Sequence, residues 1–299
     1  MKTKELNFIK SLAKSFNSPL PIIDKTIACI DNKIMLSDLE TFVTFNKKLW
    51  DEGIYNVDGT FTPIHANEYP NSPKNPTFKI GVLPVNNMLS EYIPYCAKDP
   101  LRPALECVYF DLEYIVATNT YLLRFDKHDM KLKSDFLLPP KPAKILNRLM
   151  KFYKQPVTIK QNDKYLFFIC PDFTMAVRKI EGNYPNYKGV LPDANDYTVK
   201  LVFPIDEITD AHKAHKKANK EYTFLKFYPE GKECYLMDAN LNQIKVWKLD
   251  VIKETAKDYN RLLMPEKVLG ANIAYVNILK TDTLYINPDK VDRARAYII

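Results

Sequence analysis

The stretch "RPALECVYFDLEYIVATNTYLLRF", residues 102–125, contains two runs of apolar, β-branched and aromatic residues on either side of a short acidic turn. Runs of this composition favour β-strands. A turn that carries Asp111 and Glu113 between them favours an antiparallel pair. We therefore predict one strand over ALECVYFDL, residues 104–112, and a second over YIVATNTYLLRFD, residues 114–126.

The same order of elements, a helix followed by antiparallel strands, recurs along the chain. Hydrophobic periodicity predicts helices over residues 3–16, 85–99 and 204–220, with a shorter one beginning near Pro265. The repeat is about 100 residues long, whereas solenoid repeats have about 20 to 50 residues. The pattern therefore predicts tandem domains of one architecture.

Domain boundaries follow from this repeat. The proline-rich segment YPNSPKNP, residues 69–76, resembles an interdomain linker. We predict a shortened first domain over residues 1–82, a second over 83–195 and a shortened third over 196–299.

A strongly basic helix lies in the second domain. The segment KPAKILNRLMKFYK, residues 141–154, carries five cations and no acid. At 100° per residue its cations fall on one arc and its apolar side chains on the other. Like charges four residues apart repel by a few tenths of a kcal/mol, which an anionic partner relieves. Alone, the helix fits a solubilising lysine face as well as a nucleic-acid surface.

Two other predicted helices also place cations on one side, which favours a shared phosphate-binding surface over accident. Contacts of this kind are independent of base sequence and sensitive to salt. The predicted nucleic-acid-facing residues are Lys10, Lys14, Lys141, Lys144, Arg148, Lys151, Lys213, Lys216, Lys217 and Lys220.

Composition narrows the class of protein. The chain has 299 residues and a formal net charge of +7, which favours polyanionic or acidic partners. Its five cysteines are scattered without a CxxC pair, so free thiols in a reducing compartment are expected. No signal peptide or apolar run of membrane-spanning length is visible. We expect a cytoplasmic protein.

An enzymatic alternative rests on the segment SDLET, residues 37–41. Asp38 and Glu40 match the way 3'-5' exonucleases present carboxylates to divalent metals. The further aspartates of such a site are not recognisable, and an acidic turn after a strand is the interpretation that the sequence favours. His212 and His215 lie among lysines, which disfavours a metal site there. We expect no catalytic residue, no metal ion and no cofactor.

Two motifs resemble one family. Residues 102–125 are similar to the Arg-Pro-x-Leu strand, acidic turn and Val-Ala-Thr-Asp-Gly-His-Arg-Leu strand of the bacterial DNA polymerase III beta subunit, the sliding clamp. The segment AVRKIEGNYPNYKGVLP, residues 176–192, resembles the signature Leu-Ile-Glu-Gly-x-Phe-Pro-Asp-Tyr that ends the second clamp domain. HANEYPNSP, residues 65–73, resembles the end of the first.

This resemblance implies an α+β fold of three tandem clamp domains, with antiparallel sheets outside, helices inside and a truncated first domain. It also implies a homodimeric head-to-tail ring around duplex DNA. The ring would act as a processivity factor, tethering a DNA polymerase and a clamp loader through short hydrophobic peptides. A clamp-like adaptor or decoy that does not close is the alternative, because the first domain is short.

The peptide cleft of the family is carried over by matching motifs. Asn119 and Thr120 stand where the family has Asp-Gly, so the selectivity of the cleft is expected to differ. The predicted cleft residues are Leu105, Thr118, Thr120, Tyr121, Leu122, Leu123, Pro185, Gly189, Val190, Tyr297, Ile298 and Ile299.

Overall fold

The computed structural model divides into two compact units. Unit 1 comprises Met1–Ala117 and His128–Tyr184, and unit 2 comprises Thr118–Lys127 and Pro185–Ile299. The first two predicted domains thus fall largely in unit 1, and the boundaries at 82/83 and 195/196 stay a prediction. The structure describes residues 3–62, 68–85, 89–120, 122–190, 197–202, 205–219, 223–228, 233–238, 240, 242–248, 250–254, 262–265, 275–279, 283–286 and 293–298.

The main sheet of unit 1 has nine antiparallel strands. They are β1 Thr26–Ile30, β2 Lys33–Ser37, β3 Thr41–Phe45, β4 Gly53–Asn56, β5 Phe61–Thr62, β6 Phe78–Leu83, β11 Val157–Gln161, β12 Tyr165–Ile169 and β13 Phe173–Arg178. Their order in the sheet is β5-β4-β1-β2-β3-β13-β12-β11-β6. Strand β13 pairs with β3, so strands from both sides of residue 82 share one sheet.

Local sequence sets the hairpins of this sheet. Asp31 and Asn32 connect β1 to β2 at φ 51° and 57°, the left-handed pair of a two-residue turn that follows the twist of the strands. Phe45, Phe168 and Phe173 are fully buried on one face of the sheet. Phe42 and Phe167 are buried in a separate cluster with Ala176, so alternation along the strands buries aromatic residues on both faces.

The described residues of unit 1 form three α-helices. They are α1 Thr3–Ala13, α2 Leu89–Tyr92 and α3 Pro140–Tyr153. Helix α3 begins at a proline, whose missing N–H costs nothing there, and ends where Lys154 adopts φ 52° and donates its N–H to the Met150 carbonyl. Among the described residues up to 82, α1 is the one helix, in agreement with a shortened first domain.

The predicted helix over residues 85–99 is wrong in length. Helix α2 has four residues and continues only as a 3-10 turn, Ile93–Tyr95. Pro94 has no N–H for an α-helical hydrogen bond, and Cys96 is already extended, at ψ 141°. Helix α1 likewise ends three residues before the predicted limit.

A second sheet of unit 1 contains the acidic turn at Asp111 and the two strands on either side of it. Strand β7, Val108–Phe110, pairs with β8, Tyr114–Thr118, and with β10, Phe136–Leu138. The Asp111 carboxylate accepts the N–H groups of Glu113 and Tyr114, at 2.7 and 2.5 Å. The predicted antiparallel pair with an acidic turn is confirmed, although its second strand ends at Thr118.

In its described residues, unit 2 contains ten strands, the 3-10 turn Tyr187–Val190 and helix α4, Ile205–Asn219. Its strands form the antiparallel runs β9-β22-β21-β20-β14-β18 and β17-β16-β15-β19. They are β9 Leu122–Lys127, β14 Tyr197–Val202, β15 Thr223–Tyr228, β16 Glu233–Asp238, β17 Gln243–Lys248, β18 Asp250–Glu254, β19 Leu262–Pro265, β20 Tyr275–Leu279, β21 Thr283–Ile286 and β22 Arg293–Ile298.

Pro265 itself is the last residue of strand β19 and pairs with Phe224 of β15, so a helix predicted to begin near it can start only after that residue. Residues 266–274 lie outside the described part of the chain. None of the helices formed by the described residues is long and apolar enough to cross a bilayer.

Candidate nucleic-acid interface and peptide cleft

Helices α1 and α3 pack side by side in unit 1. The Phe8 and Phe152 rings stack with their centroids 4.0 Å apart and their planes within 6°. Further along, the Arg148 guanidinium donates to the hydroxyls of Ser15 and Ser11, at 2.7 and 2.9 Å. One cation of the predicted basic face therefore joins two helices.

Two more predicted contact residues have partners within the protein. The Lys141 ammonium lies 2.5 Å from the Asp38 carboxylate. The Lys10 ammonium donates to the Asp58 carbonyl at 3.0 Å and lies 5.6 Å from the centre of the Trp50 ring. These cations still add to the local positive potential, but they are less free to reach a phosphate.

The remaining lysines of this face point into solvent. Lys14, which follows α1, and Lys144 and Lys151 of α3 are exposed, as is Lys154 at the end of α3. None of the four forms an ion pair with a described residue. They form a row of unneutralised charge, which we call the α3 lysine row.

Helix α4 of unit 2 carries its own lysines. Lys213 and Lys217 are exposed and four residues apart, so they occupy one side of the helix. For Lys216 only the backbone is described, and Lys220 lies outside the described residues. The two units therefore each present lysines on a helix.

An ionic network that the sequence did not predict fixes the start of α1 to the end of α3. The Lys47 ammonium donates to Glu5 and Asp172, at 2.5 and 3.3 Å. The Tyr153 hydroxyl donates to the same Glu5 oxygen at 2.9 Å. Burial alone would raise the pKa of Glu5, but the hydrogen bonds from Lys47 and Tyr153 outweigh it and lower that pKa.

This network predicts a pH-dependent stability. Because the pKa of Glu5 is depressed in the folded chain, its contribution is present above the unfolded pKa and is lost as the pH falls through the folded pKa. Lys47→Met removes the donor and should lower the free energy of unfolding at pH 7 by about 1 to 3 kcal/mol. Denaturant unfolding of the unmodified protein and of the variant, at several pH values between about 3 and 7, measures this free energy. The difference in the free energy of unfolding between the two proteins should shrink at acid pH.

Lys48→Met is the matched control, because Lys48 pairs with Asp51 at an exposed site, where an ion pair contributes little. Equal losses in the two variants would contradict the role of the network.

The predicted cleft residues are only partly open in the structure. Leu105, Thr118 and Leu123 are buried, with 4, 9 and 2% of their surface exposed. Pro185 and Gly189 are exposed, the latter in the 3-10 turn Tyr187–Val190.

The other cleft residues lie on neighbouring strands or have limited description. Register places Tyr297 of β22 opposite Leu122 of β9, both in unit 2. Thr120 adopts φ 76°, in the turn that follows β8. The side chains of Leu122, Val190, Tyr297 and Ile298 are not described, and Tyr121 and Ile299 lie outside the described residues. A peptide cleft formed by this set stays a prediction.

The exonuclease motif has a structural role instead. One Asp38 oxygen accepts the N–H groups of Glu40 and Thr41, at 3.2 and 2.7 Å, which shapes the turn before β3. Glu40 pairs with Arg178 at 3.3 Å. Within the described residues no group of three or more His, Cys, Asp or Glu side chains is arranged to hold a metal ion.

The structural pattern defines the class of fold. A strand leads into a helix that is followed by antiparallel strands, in β10-α3-β11-β12-β13 of unit 1 and β14-α4-β15-β16-β17 of unit 2. The chain has the fold of the DNA sliding clamps, and the fold predicted from the two motifs is confirmed.

Individual solved structures make the likeness specific. The chain is similar to the DNA polymerase III subunit beta of Pseudomonas aeruginosa, with 14% identity, a TM-score of 0.73, and 99% of this chain and 97% of that chain covered. For the beta subunit of Thermotoga maritima the values are 16%, 0.74, 100% and 97%. For the sliding clamp of Bacillus subtilis they are 14%, 0.72, 99% and 96%. No protein-family model and no curated protein sequence matches the chain.

Proposed function

We propose that this protein is a DNA sliding clamp, a processivity factor that encircles duplex DNA and tethers a polymerase during replication. The observation that carries this proposal is the α3 lysine row, exposed and unpaired by described residues, on a clamp fold. Lys213 and Lys217 repeat that polarity in unit 2. The solved proteins that share the fold are named as DNA sliding clamps or DNA polymerase III beta subunits.

The chemistry of the lysine row suits sliding. Lysine is a point charge on a flexible stem, so it attracts phosphates without fixing a register on the duplex. Each phosphate that a lysine neutralises makes the slope of log K against log salt, where K is the DNA-binding constant, more negative by about 0.9. Enclosure supplies persistence, and weak mobile contacts keep the duplex centred. The function requires no catalysis and no cofactor.

Enclosure requires a second copy of the chain or another closing partner, and we infer a homodimeric ring. Strand β5 is at one end of the nine-stranded sheet, and its Phe61 is 59% exposed. An exposed edge strand with an apolar side chain is suited to pairing with another strand. Polymerase and clamp loader would bind elsewhere, through apolar peptides in the predicted cleft.

Retention on DNA of different topology tests the proposal. We expect protein assembled on nicked circular DNA to survive gel filtration at about 0.5 M salt, and protein on linear DNA of the same length to slide off. The residence time on the circle should be at least tenfold longer. Equally fast loss from both substrates would remove enclosure.

The adaptor that does not close remains the second candidate, favoured by the single helix described before residue 82. Light scattering that shows only monomer at micromolar concentration, with DNA retention absent, would support it. For the exonuclease, lack of magnesium-dependent degradation of single strands by the unmodified protein would end that alternative.

A further inference from the structure

A cavity in unit 1 has no part in the clamp function proposed above. It has a volume of about 450 Å³, within the range of small-ligand sites. Strands β7 and β10 and the segment after β13 contribute most of its lining, and the cavity is open to solvent, because Asp135, Gly182 and Asn183 are exposed. The lining residues are Tyr109, Ser134, Asp135, Phe136, Leu137, Gln161, Leu166, Lys179, Ile180, Gly182, Asn183 and Tyr184.

The cavity lies beside the paired strands β7 and β10, and its lining also includes Gln161 of β11 and Leu166 of β12. Tyr109 and Leu137 are directly paired across β7 and β10, whereas their neighbours Phe110 and Phe136 are buried and stacked on each other on the other face. The Tyr109 ring in turn stacks on Tyr184, with centroids 4.6 Å apart and planes within 12°. This stacked pair gives the cavity a rigid aromatic side.

The Lys179 ammonium is the positive pole of the cavity lining. The Lys179 ammonium is only partly exposed and donates to two neutral oxygens, the Gln161 side-chain oxygen at 3.0 Å and the Asn162 carbonyl at 3.3 Å. Gln161 is itself oriented by donating to the Ser134 hydroxyl at 3.3 Å. No described carboxylate lies within ion-pair distance of Lys179, so its charge is not neutralised there.

The Asp135 carboxylate is the negative pole of the cavity lining. The Tyr109 hydroxyl donates to the Asp135 carboxylate at 2.9 Å. Burial raises the pKa of Tyr109, and the hydrogen bond to Asp135 raises it further, so the hydroxyl stays protonated and keeps Asp135 in place. The apolar side chains of Leu137, Leu166 and Ile180 line the cavity together with these two poles.

We propose that this cavity binds a zwitterionic, peptide-like ligand. Its carboxylate meets Lys179, its ammonium or N–H group meets Asp135, and its apolar body packs on Leu137, Ile180 and the stacked tyrosines. A ligand of one sign would be repelled by one of the poles. The ligand is either a free dipeptide-sized zwitterion or a protein segment with an acidic and a basic residue flanking apolar ones. The proposal is independent of the clamp function.

Binding to the full chain tests it with two probes, free leucyl-leucine and the blocked peptide acetyl-Asp-Leu-Leu-Lys-amide, followed by calorimetry or ligand-observed NMR. We expect saturable binding of at least one probe. Binding of the dipeptide alone identifies the free zwitterion, and binding of the blocked peptide alone identifies a protein segment. If neither probe binds saturably at concentrations up to about 10 mM, so that the binding free energy is weaker than about 3 kcal/mol, the proposal is overturned.

Variants assign the binding to the two poles. Lys179→Met and Asp135→Asn should each lower the affinity for the probe that binds at least tenfold, and Lys179→Arg should keep most of that affinity. Lys164→Met is the control, because Lys164 is an exposed lysine of the β11–β12 turn that does not line the cavity. Unchanged affinity in both Lys179→Met and Asp135→Asn would place the probe elsewhere, and circular dichroism confirms that each variant is folded.

Discussion

Replacement of Lys144 and Lys151 together by glutamate should weaken the binding of the protein to linear duplex DNA at least tenfold at about 0.1 M salt, where charge and not enclosure holds the complex. Both side chains are exposed and form no ion pair with a described residue, so the fold loses no contact that the structure shows. The change converts two attractive charges into two repulsive ones in the α3 lysine row. If each lysine neutralises one phosphate, the negative slope of log K against log salt should become shallower by about 1.8.

The control for this variant carries the same change in net charge elsewhere. Lys33 and Lys164 are exposed lysines of unit 1 that lie outside the helices. Their double replacement by glutamate should leave the salt slope unchanged and weaken binding to linear duplex DNA only slightly. If the two double variants lose affinity equally, the effect is one of net charge alone, and α3 does not face the duplex.

Elements whose signals are local were predicted well. The acidic turn between β7 and β8 forms because Asp111 can accept the two N–H groups that follow it, a contact within four residues. Helix α3 is predicted equally well, because its amphipathic pattern and its prolines agree. The helix over 85–99 was overestimated since apolar spacing continued past Pro94, where the hydrogen-bond pattern could not.

The candidate site was predicted only in part, because the arc of a helix is a property of its own sequence but its neighbour is not. Periodicity grouped Arg148 with Lys144 and Lys151, yet Arg148 donates to Ser11 of α1 and to Ser15 in the turn that follows it. The partners are more than 130 positions apart in the sequence. The Lys47 network and the cavity at Lys179 depend on packing of the same long range, and no short motif indicates either of them.

Replacement of Phe61 by aspartate tests ring closure separately from DNA contact. Phe61 is 59% exposed on β5, where it touches Tyr55 with ring centroids 5.6 Å apart, so its loss should cost the monomer little. In a dimer interface, however, an unpaired buried carboxylate costs about 3 to 5 kcal/mol. The dissociation constant should rise at least a hundredfold, since about 1.4 kcal/mol is tenfold. Sedimentation at micromolar concentration should show dimer for the unmodified protein and monomer for the variant.

Leu101→Asp is the matched control, because Leu101 is 91% exposed in a turn away from the sheet edge and should leave the dimer intact. Phe61→Asp should also abolish retention on nicked circular DNA although the α3 lysine row is unchanged, because an open ring cannot enclose the duplex. A Phe61→Asp protein that remains dimeric would exclude β5 from the interface. A variant that is monomeric yet still retained on the circle would instead show that the lysines hold DNA by charge alone, and enclosure would then have no role.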